Sequence, residues 1–310
     1  MLSGAVMLVF TPLVHSPAAY LRFFIFAQVF YGVGVGGEYP MAASSAAERS
    51  QSDPALRQRR GEQVVLTFSQ QGMGSLVNCS VILILMALAG QTGQALDPTA
   101  SRNIIILQVW KAEREDAVDI AHTMENKRPH HLYRTVLREF GPRLVVTCLA
   151  WMAANFAFYG AMLFQAEFFT ALYPTATPFQ RLQWTALNSG IALLGYWAAA
   201  ALVDKPWYGR RKMQAVGFFM VAALCMACGA GYHALTASTA GYHAFQALYF
   251  LSSFFNQFGP NCTTWLVAAE VFPTDVRTTF QGASAAWGKI GAIIADIVFG
   301  IVRWGPGATY

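Results

Sequence analysis

One lysine of this sequence stands where a positive charge is costly. Lys289 lies in the middle of an apolar stretch, the predicted helix Phe280–Val302. A lone ammonium group in hydrocarbon marks a functional site by default, because burying the unpaired charge is unfavourable. An ion pair with Asp296 is the structural alternative, but the two residues are two helical turns apart, about 10 Å along the axis. The position of Lys289 therefore predicts a binding site for an anion.

Neutral hydrogen-bonding side chains in other apolar stretches could complete that site. Trp151, Asn155 and Tyr159 recur at intervals of four residues, which places them on one face of a helix. Gln71 and Asn261 lie in two further apolar stretches. Indole, amide and phenol groups all donate hydrogen bonds that oxyanions accept. Taken alone, Trp151 and Tyr159 would more often be packing aromatics.

A carboxylate in a glycine-rich stretch has the chemistry of a proton carrier. Glu38 follows the run Gly32-Val-Gly-Val-Gly-Gly37 within an apolar segment. Desolvation favours its protonated form, so it could take up and release a proton. A packed, permanently protonated Glu38 is the alternative. We interpret the glycines as helix-packing residues rather than a nucleotide loop, because Gly32 and Gly36 are four residues apart and no strand precedes them.

The elements that must position these residues are membrane-spanning helices. The 310 residues are 55% hydrophobic and only 12% charged, which argues against a soluble enzyme, a disordered chain or a nucleic-acid binder. Fourteen of the 37 charged residues fall between positions 102 and 143. We predict an all-α polytopic bundle with spans at Met1–Val14, Tyr20–Ala47, Val64–Gly90, Leu144–Leu172, Trp184–Val203, Met213–Leu235, Tyr242–Ala269 and Phe280–Val302.

Two basic loops indicate how the spans are oriented. Positions 49–60 hold four arginines, and positions 205–212 hold four lysines or arginines; the positive-inside rule places both in the cytoplasm. An even number of crossings must then separate them, yet we find three. The apolar run Ile104–Trp110 is too short to be a fourth. We predict that a helix is missing between about positions 96 and 111; an inverted second half is the alternative.

Two loops at helix ends resemble copies of one design. Glu48 ends a predicted span and is followed by Arg60 across a short loop, and Glu270 is followed by Arg277 in the same way. A carboxylate that faces an arginine across a turn can form a latch, so we expect the pairs Glu48/Arg60 and Glu270/Arg277. Internal repeats of this kind are typical of secondary transporters.

Seven short motifs follow one another in order along the chain. They are Gly32-Val-Gly-Val-Gly-Gly-Glu-Tyr-Pro40, Arg60-Gly61, Phe68-Ser-Gln-Gln-Gly-Met-Gly74, Asp204-Lys-Pro-Trp-Tyr-Gly-Arg-Arg-Lys212, Phe258-Gly-Pro-Asn-Cys-Thr-Thr264, Ala269-Glu-Val-Phe-Pro-Thr274 and Gly288-Lys-Ile-Gly-Ala292. The fourth motif resembles the loop signature of the major facilitator superfamily. The others resemble the fourth, fifth, tenth and eleventh spans of its phosphate:proton symporters, and together they make the resemblance specific.

The resemblance implies a substrate, a coupling ion and a set of site residues. It implies that inorganic phosphate binds at Tyr39, Gln71, Trp151, Asn155, Tyr159, Asn261 and Lys289. It implies a proton site at Glu38 and rocking of two halves, gated by the loops that hold Glu48, Arg60, Asp204, Arg210, Arg211, Glu270 and Arg277. The family has Asp where this sequence has Asn155, so the coupling ion and the exact anion stay open.

The resemblance also implies that the fold is incomplete, with about seven or eight of twelve spans. We expect a partial N-terminal half at 1–96, a polar connector at 97–143 without a sixth span, and a C-terminal half at 144–310. We hypothesise that this chain does not transport by itself. The rival functions are a sugar or organic-anion porter of the same superfamily and a phosphate sensor. We expect no enzymatic activity, no cofactor, no metal and no nucleic acid; phosphate, protons and lipid are the expected partners, and the plasma membrane the expected location.

Overall fold

The computed structural model describes residues 16–90 and 130–304, with positions 7, 8, 10 and 93 besides. Some side chains inside these ranges, those of Glu38 and Tyr39 among them, fall outside the description. The described ranges are helical with short turns and contain no β-strand, which confirms the all-α prediction. The helices are α1 (Pro17–Ser52), α2 (Arg60–Leu88), α3 (His130–Leu172), α4 (Pro178–Val203), α5 (Gly209–Ala230), α6 (Tyr232–Leu235), α7 (Thr239–Asn256), α8 (Cys262–Val271) and α9 (Arg277–Trp304).

Six of the described helices, α1 to α5 and α9, are long and apolar enough to cross a membrane. A π-helical turn at Gln257–Asn261 joins α7 to α8 without a break, so the predicted span Tyr242–Ala269 is one interrupted helix. The predicted span Met1–Val14 lies mostly outside the described residues. Large apolar side chains such as Ile25, Val29 and Ile293 are more than half exposed, as expected for helices that face hydrocarbon.

Small residues bring helices close together at several points, including the pairs α3–α9 and α2–α4. Helices α3 and α9 run parallel, and Gly291 lies so close to the backbone of Met152 that it has no room for a side chain. Helices α2 and α4 run antiparallel, and a Cβ added to Gly72 would meet the ring of Tyr196 at 2.8 Å. Close approach at glycine is a common way to pack membrane helices, since van der Waals contact drives their association.

Both basic loops lie at one end of the bundle, which we call the basic end. The backbone N–H of Glu62, at the start of α2, donates to Asp204, at the end of α4. Phe140 and Leu144, near the start of α3, pack against Phe272 beyond α8. The inverted arrangement of the second half is therefore wrong. Since α2 and α3 both start at the basic end, the end of α2 and the start of α3 lie at opposite ends of the bundle.

Three described spans, α2, α3 and α4, separate the two basic loops, although both loops lie at the same end. The chain between the end of α2 and the start of α3 must therefore pass from one end of the bundle to the other. The predicted connector at 97–143 lies outside the described residues up to position 129. From His130 onwards it forms the first turns of α3 and continues into the predicted span Leu144–Leu172. The missing helix stays a prediction.

The core is densest towards the basic end. Phe68 stacks on Trp265, with ring centroids 4.5 Å apart, and meets the edge of the Tyr196 ring at 5.6 Å. Around these rings, small and β-branched side chains from four helices, α1, α2, α4 and α8, are fully buried. This close packing fills the bundle between the basic loops and its middle, and the space available for a ligand lies on the other side of it.

Candidate functional site

A cluster of charged side chains ties four helix ends together at the basic end. Arg210 donates two hydrogen bonds to Glu270, Nε to Oε2 at 3.0 Å and Nη2 to Oε1 at 2.8 Å. Its Nη1 lies 2.9 Å from Oδ1 of Asp204. The other oxygen of Asp204 accepts the backbone N–H of Glu62 at 2.7 Å, where the positive end of the α2 dipole favours an anion. We call Asp204, Arg210 and Glu270 the charge cluster.

Gly61 allows α2 to reach the charge cluster. A Cβ at this position would lie 2.5 Å from Oδ1 of Asp204 and 2.7 Å from Nη2 of Arg210. Neither atom can move away easily, because the guanidinium and both carboxylates hold one another in place. The close contacts therefore explain why the second residue of the Arg60-Gly61 motif is glycine.

The predicted latch pairs are wrong in their partners. Glu48 lies 3.7 Å from Nη1 of Arg277 rather than pairing with Arg60, and Glu270 binds Arg210 rather than Arg277. The first turn of α9 packs against the end of α1, where Thr278 donates to Ser44 at 3.2 Å. That contact carries Arg277, which is 3% exposed, across to Glu48.

Two arginines of the predicted loops lie outside the direct ion pairs. Arg60 directs Nη2 at the carbonyl oxygen of Ala269, 3.5 Å away. Arg211 is exposed and makes no ion pair among the described residues. Of the described salt bridges that arginines of the loops 49–60 and 205–212 make to other helices, all involve Arg210.

A network of neutral side chains crosses the middle of the bundle. The hydroxyl of Tyr196 donates to Oε1 of Gln71 at 3.3 Å and accepts Nδ2 of Asn261 at 3.0 Å. The same Nδ2 donates to Oε1 of Gln257 at 2.6 Å. Gln257 and Asn261 belong to the π-helical turn, a distortion that often occurs at functional sites because it redirects side chains. We call these four residues the amide network.

Lys289 meets Tyr159 across the α3–α9 seam. Its Nζ donates to the tyrosine hydroxyl at 2.6 Å and lies 4.9 Å from the ring centroid. Lys289 is twelve residues beyond the first residue of α9, about 18 Å along the helix, so it lies near mid-membrane depth. It is exposed, and no ion pair joins it to Asp296 in the described part of the chain. The described residues therefore neither enclose the ammonium group nor give it a counter-ion.

The other two predicted residues of α3 support this contact from behind. Trp151 and Asn155 are each 6% exposed. A Cβ on Gly288 would lie 2.5 Å from Cδ1 of Trp151 and 2.9 Å from Nδ2 of Asn155. Both side chains thus pack against α9 one residue from Lys289, on the same helix face as Tyr159. We call Trp151, Asn155, Tyr159 and Lys289 the lysine seam.

A cavity of about 830 Å³ opens between the amide network and the lysine seam. Its walls come from the middle of α2 and from the halves of α3, α4, α5 and α7 that point away from the basic end. Of the predicted site residues, Gln71 and Tyr159 line it. Trp151, Asn155, Asn261 and Lys289 lie behind or beside its wall. The side chains of Glu38 and Tyr39 lie outside the described residues, so their predicted roles stay predictions.

Tyr196 is the site residue that the sequence reasoning missed. It is 1% exposed and joins α2 to the π-helical turn. A signal was present, because Asn188 and Tyr196 are eight residues apart in the uncharged stretch 182–203 and share one face of a helix. No group of three or more His, Cys, Asp or Glu side chains in the described residues could hold a metal ion.

Comparison with known sequences gives relatives that share most of this chain. Residues 94–310 match the family described as "Sugar (and other) transporter". The chain is 30% identical to inorganic phosphate transporter 1-6 of Oryza sativa subsp. japonica, covering 92% of this chain and 63% of the relative. It is 26% identical to the inorganic phosphate transporter PHO84 of Saccharomyces cerevisiae, covering 94% of this chain and 60% of the relative.

The chain spans less than two thirds of the length of these relatives. The alignment with the rice protein extends over 346 positions, which is more than the 310 residues of this chain. The relative therefore has residues inside the matched region for which this chain has no counterpart. The family match covers more than half of the chain and agrees with the bundle of apolar helices. This multi-pass membrane protein therefore belongs to the sugar (and other) transporter family of the major facilitator superfamily.

Proposed function

We propose that this chain carries the substrate site of a transporter that takes up inorganic phosphate together with protons by alternating access. The observation that carries the proposal is the lysine seam, in which one exposed ammonium group lies among neutral hydrogen-bond donors at mid-membrane depth. The printed names of the rice and yeast relatives, which are inorganic phosphate transporters, support the choice of anion.

Phosphate would bind by inserting between Lys289 and the neutral donors around it. The ammonium group neutralises one negative charge, and charge-assisted hydrogen bonds of this kind are about twice as strong as neutral ones. Tyr159 and Gln71 offer their polar groups from the cavity wall. Tyr39 would donate from α1, and Glu38 would carry the proton. Asn155 can donate a hydrogen bond but cannot ionise, so it places no negative charge beside the anion.

The charge cluster would act as the lock of the transport cycle. It holds the basic ends of α2, α4, α5 and α8 together, while the cavity lies on the other side of the packed core. Rocking of the partial half at 1–96 against the half at 144–310 would break the bond from the backbone N–H of Glu62 to Asp204, which joins the two halves at the cluster, and expose phosphate at the basic end. In this proposal the basic end faces the cytoplasm, the connector 97–143 lies on that side and the membrane is the plasma membrane.

Labelled phosphate tests the proposal directly. The 310-residue chain is purified, reconstituted into liposomes with an inward proton gradient, and given radiolabelled phosphate. The proposal expects uptake that arsenate but not glucose competes with and that collapses when the gradient is dissipated; such uptake would overturn the hypothesis that this chain does not transport by itself. Competition by glucose without competition by arsenate would favour the sugar porter and overturn the proposal. Uptake that is insensitive to the proton gradient would contradict the part of the proposal that couples phosphate transport to protons.

Binding without transport is the second candidate, and a specific observation favours it. The rice relative has residues inside the matched region that this chain lacks. The seam and the network can bind phosphate even if the bundle cannot complete a cycle. Saturable binding of labelled phosphate in detergent, together with no uptake into liposomes, would distinguish this sensor-like form from a transporter.

A further inference from the structure

The cavity beside Tyr159 is far larger than inorganic phosphate needs. Its volume of about 830 Å³ falls in the range of pockets that enclose drug-sized organic ligands. Its described lining contains no Asp, Glu, Lys or Arg side chain, so these residues offer no partner to a second ionic group. A small tetrahedral anion held by Tyr159 and Lys289 leaves most of this neutral space free.

Three amide side chains on the cavity wall have a hydrogen-bonding atom without a partner. These atoms are Nε2 of Gln165, Oδ1 of Asn188 and Oδ1 of Asn256. Asn188 is 8% exposed and Asn256 is 6% exposed. Buried polar groups are paired in the great majority of folded proteins, and each exception needs an explanation. The three atoms themselves have almost no accessible surface, so a ligand in the cavity provides an explanation if these side chains turn towards it when it binds.

The chemistry of the wall selects alcohol groups. The one hydrogen bond that joins Asn188 to Gln165 is long, 3.5 Å from Nδ2 to Oε1. Whichever way each amide is turned, the wall offers both donors and acceptors. An alcohol hydroxyl both donates and accepts, so it can use either kind of atom. The aromatic rings of Phe156 and Tyr249 also line the cavity and suit the carbon skeleton of such a ligand.

The axial offset between Tyr159 and Gln165 is one that a small ester can span. Gln165 follows Tyr159 by six residues on α3, which is about 9 Å along the helix axis. A phosphate group at Tyr159 and Lys289 could therefore be linked through a short carbon chain to hydroxyls at Gln165 and Asn188. Inorganic phosphate cannot bridge this distance.

We propose that the cavity takes phosphate monoesters of small polyols. The phosphate group binds at Lys289 and Tyr159, and the hydroxyl groups of the organic part bind Gln165, Asn188 and Asn256. This inference rests on the proposed phosphate site and extends it to the rest of the cavity. Inorganic phosphate is then the smallest member of the ligand class rather than the whole of it.

A series of esters tests the inference on the unaltered chain. Methyl phosphate, glycerol 3-phosphate and glucose 6-phosphate are used to displace radiolabelled inorganic phosphate from the purified 310-residue chain in nanodiscs. Glycerol 3-phosphate should displace the label at about one tenth of the methyl phosphate concentration, because its two hydroxyls add hydrogen bonds. Equal or weaker displacement by glycerol 3-phosphate overturns the inference. If inorganic phosphate itself does not bind, the proposed function fails as well.

Substitution of Asn188 tests whether this side chain binds the hydroxyl groups of the ester. Asn188→Leu keeps the size of the side chain and removes its hydrogen bonds. It should lower the affinity for glycerol 3-phosphate relative to inorganic phosphate by about tenfold. Asn78→Leu, at an exposed asparagine of α2 that does not line the cavity, is the matched control and should leave the ratio unchanged. An unchanged ratio in Asn188→Leu, or the same change in both variants, overturns the assignment.

Discussion

Two polar regions of the bundle differ in how completely their side chains are paired. In the charge cluster, Arg210 binds Glu270 with two hydrogen bonds and Asp204 with a third contact, and Asp204 also caps α2. In the lysine seam, the ammonium group of Lys289 has one described partner, the neutral hydroxyl of Tyr159. The first region has its counter-ions within the chain, whereas the second has none among the described side chains.

Because of this difference, we expect the two regions to have different roles. A salt bridge whose partners lie on different helices holds those helices in one arrangement, and it can be broken only when the helices move apart. A cation without a counter-ion gains most from an external anion. The charge cluster should therefore determine stability and conformation, and the lysine seam should determine ligand affinity. Substitutions in one region should affect one property far more than the other.

The largest expected effect is the loss of phosphate binding in Lys289→Ala. Removing one partner of a close charge pair costs about 2–5 kcal/mol, so affinity for radiolabelled phosphate should fall about 100-fold, or roughly 3 kcal/mol. The thermal midpoint in detergent should change little, because Lys289 is exposed. Lys205→Ala, at an exposed lysine of the basic loop, is the control and should bind phosphate normally. Unaltered phosphate affinity in Lys289→Ala would disprove the assigned site.

Arg210→Lys should have the opposite profile. Lysine cannot reproduce the two parallel hydrogen bonds to Glu270 while also reaching Asp204. Because the Arg210 side chain is 29% exposed, solvent screening reduces the cost below that of a fully buried pair, to about 2 kcal/mol of unfolding free energy. Thermal denaturation in detergent measures it. Arg211→Lys, at the exposed neighbour, should be close to neutral; an equal loss in both variants would mean that the charge cluster does not hold the helix ends.

The sequence predicted the helices and most of the lysine seam because both follow from short-range patterns. Apolar length identifies a span, and spacing of four places Trp151, Asn155 and Tyr159 on one face. The salt-bridge partners could not be read in this way. Whether Glu270 meets Arg210 or Arg277 depends on how α5, α8 and α9 cross, which no local pattern contains.

Tyr196 escaped prediction for a related reason. A tyrosine in an apolar helix is more often a packing residue, and its role comes from the two amides that α2 and the π-helical turn bring to its hydroxyl. Glu38 and Tyr39 were assigned by resemblance, and the described side chains do not include theirs. Their roles therefore depend on uptake measurements with substituted chains.

Gly61→Ala should destabilise the charge cluster without removing any polar group. The added methyl would collide with Asp204 and Arg210, and such overpacking costs about 1–3 kcal/mol. Gly74, in the same helix, has nothing within 4 Å of an added Cβ, so Gly74→Ala should be neutral or stabilising by up to about 1 kcal/mol. Thermal midpoints in detergent compare the two. A Gly61→Ala variant as stable as Gly74→Ala would show that the close approach is not required.

The smallest expected effect is that of Tyr196→Phe, and it tests whether the regions are independent. Losing the hydroxyl removes two hydrogen bonds from the amide network and should cost about 1 kcal/mol of stability. Tyr196 is eight residues from Asp204, about 12 Å along α4, so this loss should add to that of Arg210→Lys in the double variant. Combined with Asn261→Ala, by contrast, it should be less than additive, because both changes break the same contact. Strong coupling between Tyr196 and Arg210 would mean that the lock and the binding region form one unit, and that closing the basic end directly alters the geometry of the amide network.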